Sequence, residues 1–152
     1  MADFSSLIPE LKDWNNGAGI DVESWIGCVG DFQKAIGYST IFWPQFAEVD
    51  GFVVYRGTTR EVLQEWLESC KGDRKAVEAL VNHLHLVDIH YYGCPDATPE
   101  RLAFLGRVLK EIYECKLRCR FPGKRFTVRL DDGPSEDLYD YILTFYQEDD
   151  VG

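Results

Sequence analysis

Hydrophobic positions recur along this chain at two periods, near 3.6 and 2, and the switches between them mark out its elements. Leu7, Ile8, Leu11 and Trp14 fall on one side of a first helix that Asp3, Ser5 or Ser6 can cap and that Asn15-Asn16-Gly17 ends. Asp21 caps a second, in which Trp25, Val29, Phe32 and Ile36 recur at helical spacing and Gly37 supplies the stop. The run Phe46 to Tyr55 reads as two short β-rich stretches around Asp50-Gly51, a pair that tolerates the positive φ of a two-residue hairpin.

Thr58 and Glu61 form a capping box for a third helix with Val62, Leu63, Trp66, Leu67 and Cys70 inward, and Gly72 breaks it. Asp73 caps a fourth that the spacing extends to Asp88 or His90, with Ala76, Val77, Leu80, Leu84 and Val87 on one face. After a loop, Thr98 and Pro99 open a fifth helix that continues to Arg120. Its apolar residues form two adjoining stripes, one of Leu102, Leu105, Leu109, Ile112 and Tyr113, the other of Phe104, Val108, Cys115 and Cys119. So broad an apolar side predicts a central helix.

Beyond Pro122-Gly123 the period becomes 2. Phe126, Val128 and Leu130 alternate with Thr127, Arg129 and Asp131, and after the Asp132-Gly133-Pro134 turn a last strand carries apolar residues on both faces. Two hairpins separated by helices predict an α+β fold in one domain over 1–152, with an antiparallel sheet of about four strands packed against a layer of about five helices.

Composition narrows the class. The 152 residues are 45% apolar and 28% charged, which excludes disorder, and no apolar run approaches the length of a membrane span. The N-terminal segment lacks a basic stretch followed by an apolar core, so a cytoplasmic location is expected. Five cysteines (Cys28, Cys70, Cys94, Cys115, Cys119) are an odd number and read as free thiols in a reducing compartment. A formal charge of −10 opposes binding to nucleic acid or an anionic membrane. One basic block, Lys116, Arg118, Arg120, Lys124, Arg125 and Arg129, is followed by eight acids over residues 131 to 152, and pairing between neighbouring strands is expected to absorb it. In style the chain resembles short bacterial cytoplasmic proteins, on no diagnostic motif.

Chemistry concentrates in one segment. His83, His85, Asp88 and His90 lie within eight residues, the spacing of a general base with an orienting partner or of a metal site. The string resembles the HxHxDH metal signature of metallo-β-lactamase-like hydrolases, with an extra residue before the final histidine and no histidine after it. Neither a helix nor a strand brings all three rings to one face. A second reading joins His90 and Cys94 to Cys115 and Cys119 as four tetrahedral zinc ligands, against which Cys115 and Cys119 read as core thiols. Cys94, beside His90, is a candidate nucleophile with no evident third group. Nucleophile elbow and dinucleotide loop are both missing, and no cofactor is expected.

The aromatic residues favour recognition. Trp43 stands in a Pro44-interrupted run with Phe42 and Phe46, and Tyr91-Tyr92 follow the histidines in a Gly/Pro-bounded loop, so Trp43, Tyr91 and Tyr92 are the candidate binding residues. The function expected is therefore that of an acidic cytoplasmic binding module acting through a protein partner, basic in character, as an inhibitor or immunity-type protein. A small hydrolase-type enzyme built on His83, His85, Asp88 and His90 is the alternative. Self-association through Ile142, Thr144 and Tyr146 of the last strand is a further expectation.

Overall fold

A computed structural model describes residues 4–90 and 94–148. Those residues form six α-helices and two antiparallel sheets, the α+β architecture that the periodicity implies. Although no linker is legible in the sequence, the chain divides into two compact units, one ending at Thr40 and the other starting at Ile41. The boundary falls inside a helix.

The N-terminal unit is short-range structure. A 3-10 turn (Pro9–Lys12) leads into a single turn, α1 (Trp14–Gly17), where Asn15, Asn16 and Gly17 all take left-handed φ, so the first helix expected with Leu7, Ile8, Leu11 and Trp14 on one side is a series of turns. α2 (Val22–Val29) is capped by Asp21, which accepts a hydrogen bond from the Ser24 N–H. Gly30 in extended conformation then ends α2, and α3 (Phe32–Phe42) begins after Asp31 and runs through Gly37. The single helix expected here is thus two.

The second unit holds two hydrophobic cores. β1 (Phe46–Val49) and β2 (Phe52–Tyr55) pair around Asp50-Gly51, both at positive φ. Strand β2 is buried on both sides: Phe52 and Val54 join Leu63 and Val77 of α4 (Arg60–Ser69) and α5 (Arg74–Val81), whereas Val53 joins the larger core. That core gathers Leu102, Leu109, Tyr113 and Leu117 of α6 (Pro99–Arg120) against Val128, Leu143 and Phe145. These come from β4 (Phe126–Asp131) and β5 (Ile142–Gln147) of a second sheet, ordered β3-β5-β4.

The fourth helix is shorter than its spacing suggests. It stops at Val81, and the histidine segment supplies β3 (Leu84–His85), paired with Ile142 and Leu143, and then a 3-10 turn (Leu86–Ile89). β5 therefore lies centrally, with strands on both edges. Its Leu143 and Phe145 join the core with α6, whereas Thr144 and Tyr146 meet α5, where the Thr144 hydroxyl donates to the Ala79 carbonyl at 2.6 Å and Lys75 stands over the Tyr146 ring. Of the face expected to mediate self-association, Thr144 is buried and Ile142 and Tyr146 are half-buried.

Buried polar groups join the two sheets. Glu78, 2% exposed, accepts from the Val53 N–H at 2.7 Å, from the Gln147 N–H at 2.6 Å and from the Gln147 side-chain amide. Asn82, fully buried one turn on, donates to the Val53 carbonyl at 2.8 Å and the Phe145 carbonyl at 3.2 Å. Glu78 of α5 and Asn82 at its C-terminal cap thus satisfy backbone groups of β2 and β5 that do not pair directly.

Candidate functional site

The histidines do not converge. His83 and His85 meet edge-on, ring centroids 5.1 Å apart, and each is held by a backbone carbonyl: His83 Nδ1 by that of Leu80, His85 Nδ1 by that of Tyr139 at 2.9 Å. The Tyr139 ring, itself exposed, packs on His85 at 5.6 Å. His90 faces another cluster, around Asp96, whose carboxyl is held below the usual carboxylate range by the Cys94 thiol hydrogen bond first and then by the Arg101 charge. Asp88 lies between them in the 3-10 turn. Among the described residues no three His, Cys, Asp or Glu side chains gather closely enough to hold an ion, so the quartet His83, His85, Asp88 and His90 forms no common metal site.

The second metal reading is corrected on the same ground. Cys94 donates its thiol to Asp96 at 2.7 Å, while Cys115 and Cys119 stand exposed on α6 rather than in the core. The inward positions at this end of α6 belong to Tyr113 and Leu117 instead, since a buried stripe follows steps of four residues here. Asp96 also unsuits Cys94 as a nucleophile. Its hydrogen bond favours the protonated thiol and pushes the Cys94 pKa up, the reverse of what attack requires.

Of the candidate binding residues, Tyr91 and Tyr92 lie outside the described residues. Trp43 is 53% exposed, with Lys116 Nζ 4.5 Å above its ring and donating to its carbonyl at 3.2 Å. Desolvation there, followed by the nearby Arg120 charge, lowers the Lys116 pKa. Phe42 and Phe46 instead pack into the larger core, where Phe46, Tyr55, Tyr113 and Phe145 stack edge-on and tilted at 4.8–6.2 Å. The basic block is partly neutralised by acids outside the expected strand: Lys124 meets Glu48 at 3.0 Å, and Glu148 is taken by Lys75 at 2.7 Å.

What the apolar spacing conceals is a surface. Ile26, Val29, Phe32 and Ile36, at helical steps on α2 and α3, are 53%, 48%, 88% and 69% exposed. Nine large hydrophobics are exposed among the described residues, and four of them fall within these eleven positions. From Asp13 to Gln33 the chain carries four acids (Asp13, Asp21, Glu23, Asp31) and no base. The next base, Lys34, is tied to Asp31 at 3.0 Å. Hydrogen bonds from Ser24 and Lys34 hold Asp21 and Asp31 ionised below the usual carboxylate range. Beside α2 an open groove of about 790 Å³ is lined by Leu11, Lys12, Asn15, Ile20, Val22 and Glu23. Exposed apolar side chains with an excess of one sign of charge nearby are the form that docking surfaces take.

No protein-family profile, curated protein or solved structure matches this chain at a significant level. Among the described residues no helix is long and apolar enough to cross a membrane.

Proposed function

We propose that this protein is an acidic cytoplasmic binding module that docks through its N-terminal unit onto a basic protein partner, in the manner of an inhibitor or immunity protein. The observation that carries this reading is the set of four exposed apolar side chains, Ile26, Val29, Phe32 and Ile36, in a stretch that acids precede and whose one base, Lys34, is paired to Asp31. Each contributes about 1.5–3 kcal/mol when fully buried. The surrounding carboxylates, and the −10 charge behind them, favour a cationic partner and speed its approach. A second copy of the same chain meets repulsion instead. The chemistry required is an amphipathic segment with an apolar stripe and lysine or arginine beside it.

The test uses the full chain and a designed helical peptide of leucines and lysines at amphipathic spacing, with a leucine–glutamate peptide as control. The wild type binds the basic peptide, and added salt weakens the complex. The double variant Phe32→Ser/Ile36→Ser, with charge and far-ultraviolet spectrum unchanged, binds at least about tenfold more weakly. Val62→Ser, at an exposed apolar site of α4, binds as the wild type does. Equal binding by the double variant, or equal binding of the acidic peptide, overturns the reading. So does a dimer in sedimentation that Phe32→Ser/Ile36→Ser abolishes, because the surface then belongs to a second copy.

A further inference from the structure

Cys115 and Cys119 stand one helical turn apart on α6, and both are exposed. Residues at i and i+4 of a helix have Cβ atoms about 5–6 Å apart, so two sulfurs, each one bond further out, can turn toward a common point above the helix surface. α6 is a continuous helix of 22 residues, and on its inner side Tyr113 and Leu117 are fixed in the larger core. The turn that presents the thiols is therefore held before any ligand arrives. This part of the chain is also cationic: Arg118 and Arg120, both exposed, flank Cys119 in sequence, and the Arg120 charge is felt at Lys116.

The donor set selects the ligand. Among the described residues no third His, Cys, Asp or Glu completes a group with these two sulfurs. Zinc, which takes four ligands in structural sites, finds too few here. Two thiolates with no further donor suit a soft monovalent d10 cation that accepts two-coordinate binding, and copper(I) is the soft ion that thiolates select.

We infer that Cys115 and Cys119 form a two-coordinate dithiolate site for copper(I), separate from the docking surface on α2 and α3. On binding, two S–H bonds break and two copper–sulfur bonds form; both protons leave to solvent, and copper stays in the +1 state throughout. The resulting complex carries one negative charge, which Arg118 and Arg120 offset. Because two protons are released, affinity rises with pH.

The experiment is an oxygen-free titration of the reduced full chain with copper(I) in the presence of bicinchoninate, whose coloured copper(I) complex reports what the protein leaves behind. The wild type withdraws one equivalent. Cys115→Ser and Cys119→Ser, both surface changes, leave the far-ultraviolet spectrum unaltered and lose that equivalent. Cys28→Ser/Cys94→Ser retains it. Withdrawal undiminished in either single variant overturns the assignment, as does no withdrawal by the wild type. Copper-dependent dimers in sedimentation overturn it too, since the ion then bridges two chains. None of these outcomes bears on peptide docking, so the two proposals stand or fall separately.

Discussion

Glu78 and Asn82 do work normally left to strand pairing. Val53 turns its N–H and carbonyl away from β1, and the carboxyl and amide of these two side chains receive them in the core. Glu78→Leu removes the acceptor for three donors and leaves the Val53 and Gln147 N–H groups buried without one, a loss of about 3 kcal/mol in urea unfolding. An unchanged midpoint would show that water or neighbouring residues take over the role. Neither residue was legible as structural in the sequence. A glutamate at the edge of an apolar stripe reads as solvent-facing, because charged side chains are so rarely buried without a partner, and the partners here are backbone groups 25 and 69 positions away. Leu80, which the stripe places inward, is left 42% exposed by the fold.

At the level of elements, local signals read true where the cap itself decides the boundary. Asp73 and Thr98 cap α5 and α6 through the N–H groups of Ala76 and Arg101. Where two neighbouring residues compete, the sequence misleads: Thr59, not Thr58, accepts from the Val62 N–H and opens α4. The histidine segment was illegible for another reason. Its apolar positions fit a helix, but the free edge of β5 competes for the same backbone and takes Leu84 and His85 as a strand. α6 passes close to its neighbours at Gly106, where a Cβ would lie 2.7 Å from methyl groups of both Leu86 and Leu130. Gly106→Ala gains helix propensity yet forces these side chains apart, and is expected to cost about 1–3 kcal/mol by thermal or urea unfolding. A variant more stable than wild type would mean that the methyls swing aside freely.

For the molecule as a whole, the larger core sets the response to alkali. Tyr55 donates to the Tyr113 hydroxyl at 3.0 Å within the four-ring cluster, and the pKa values of both phenols are raised, in each case mainly by burial. In the unfolded chain these phenols ionise near their ordinary value of 10.0, whereas the folded state keeps its protons. The stability from the neutral pair is thus complete below pH 10 and drains away as pH rises beyond it. Tyr55→Phe costs about 1 kcal/mol at neutral pH and makes the alkaline decline shallower. A decline as steep as that of the wild type would place its origin elsewhere. The fold class was legible at this scale because period and turn chemistry agree along most of the chain. The candidate site was not, because helical apolar spacing announces a buried face and a docking face in the same terms.

Neither hydrophobic core includes a residue earlier than Phe42. Ile26, Val29, Phe32 and Ile36 accordingly belong to neither core. On the proposed docking, exchanges at these four positions are expected to change partner choice while the urea midpoint stays near that of the wild type.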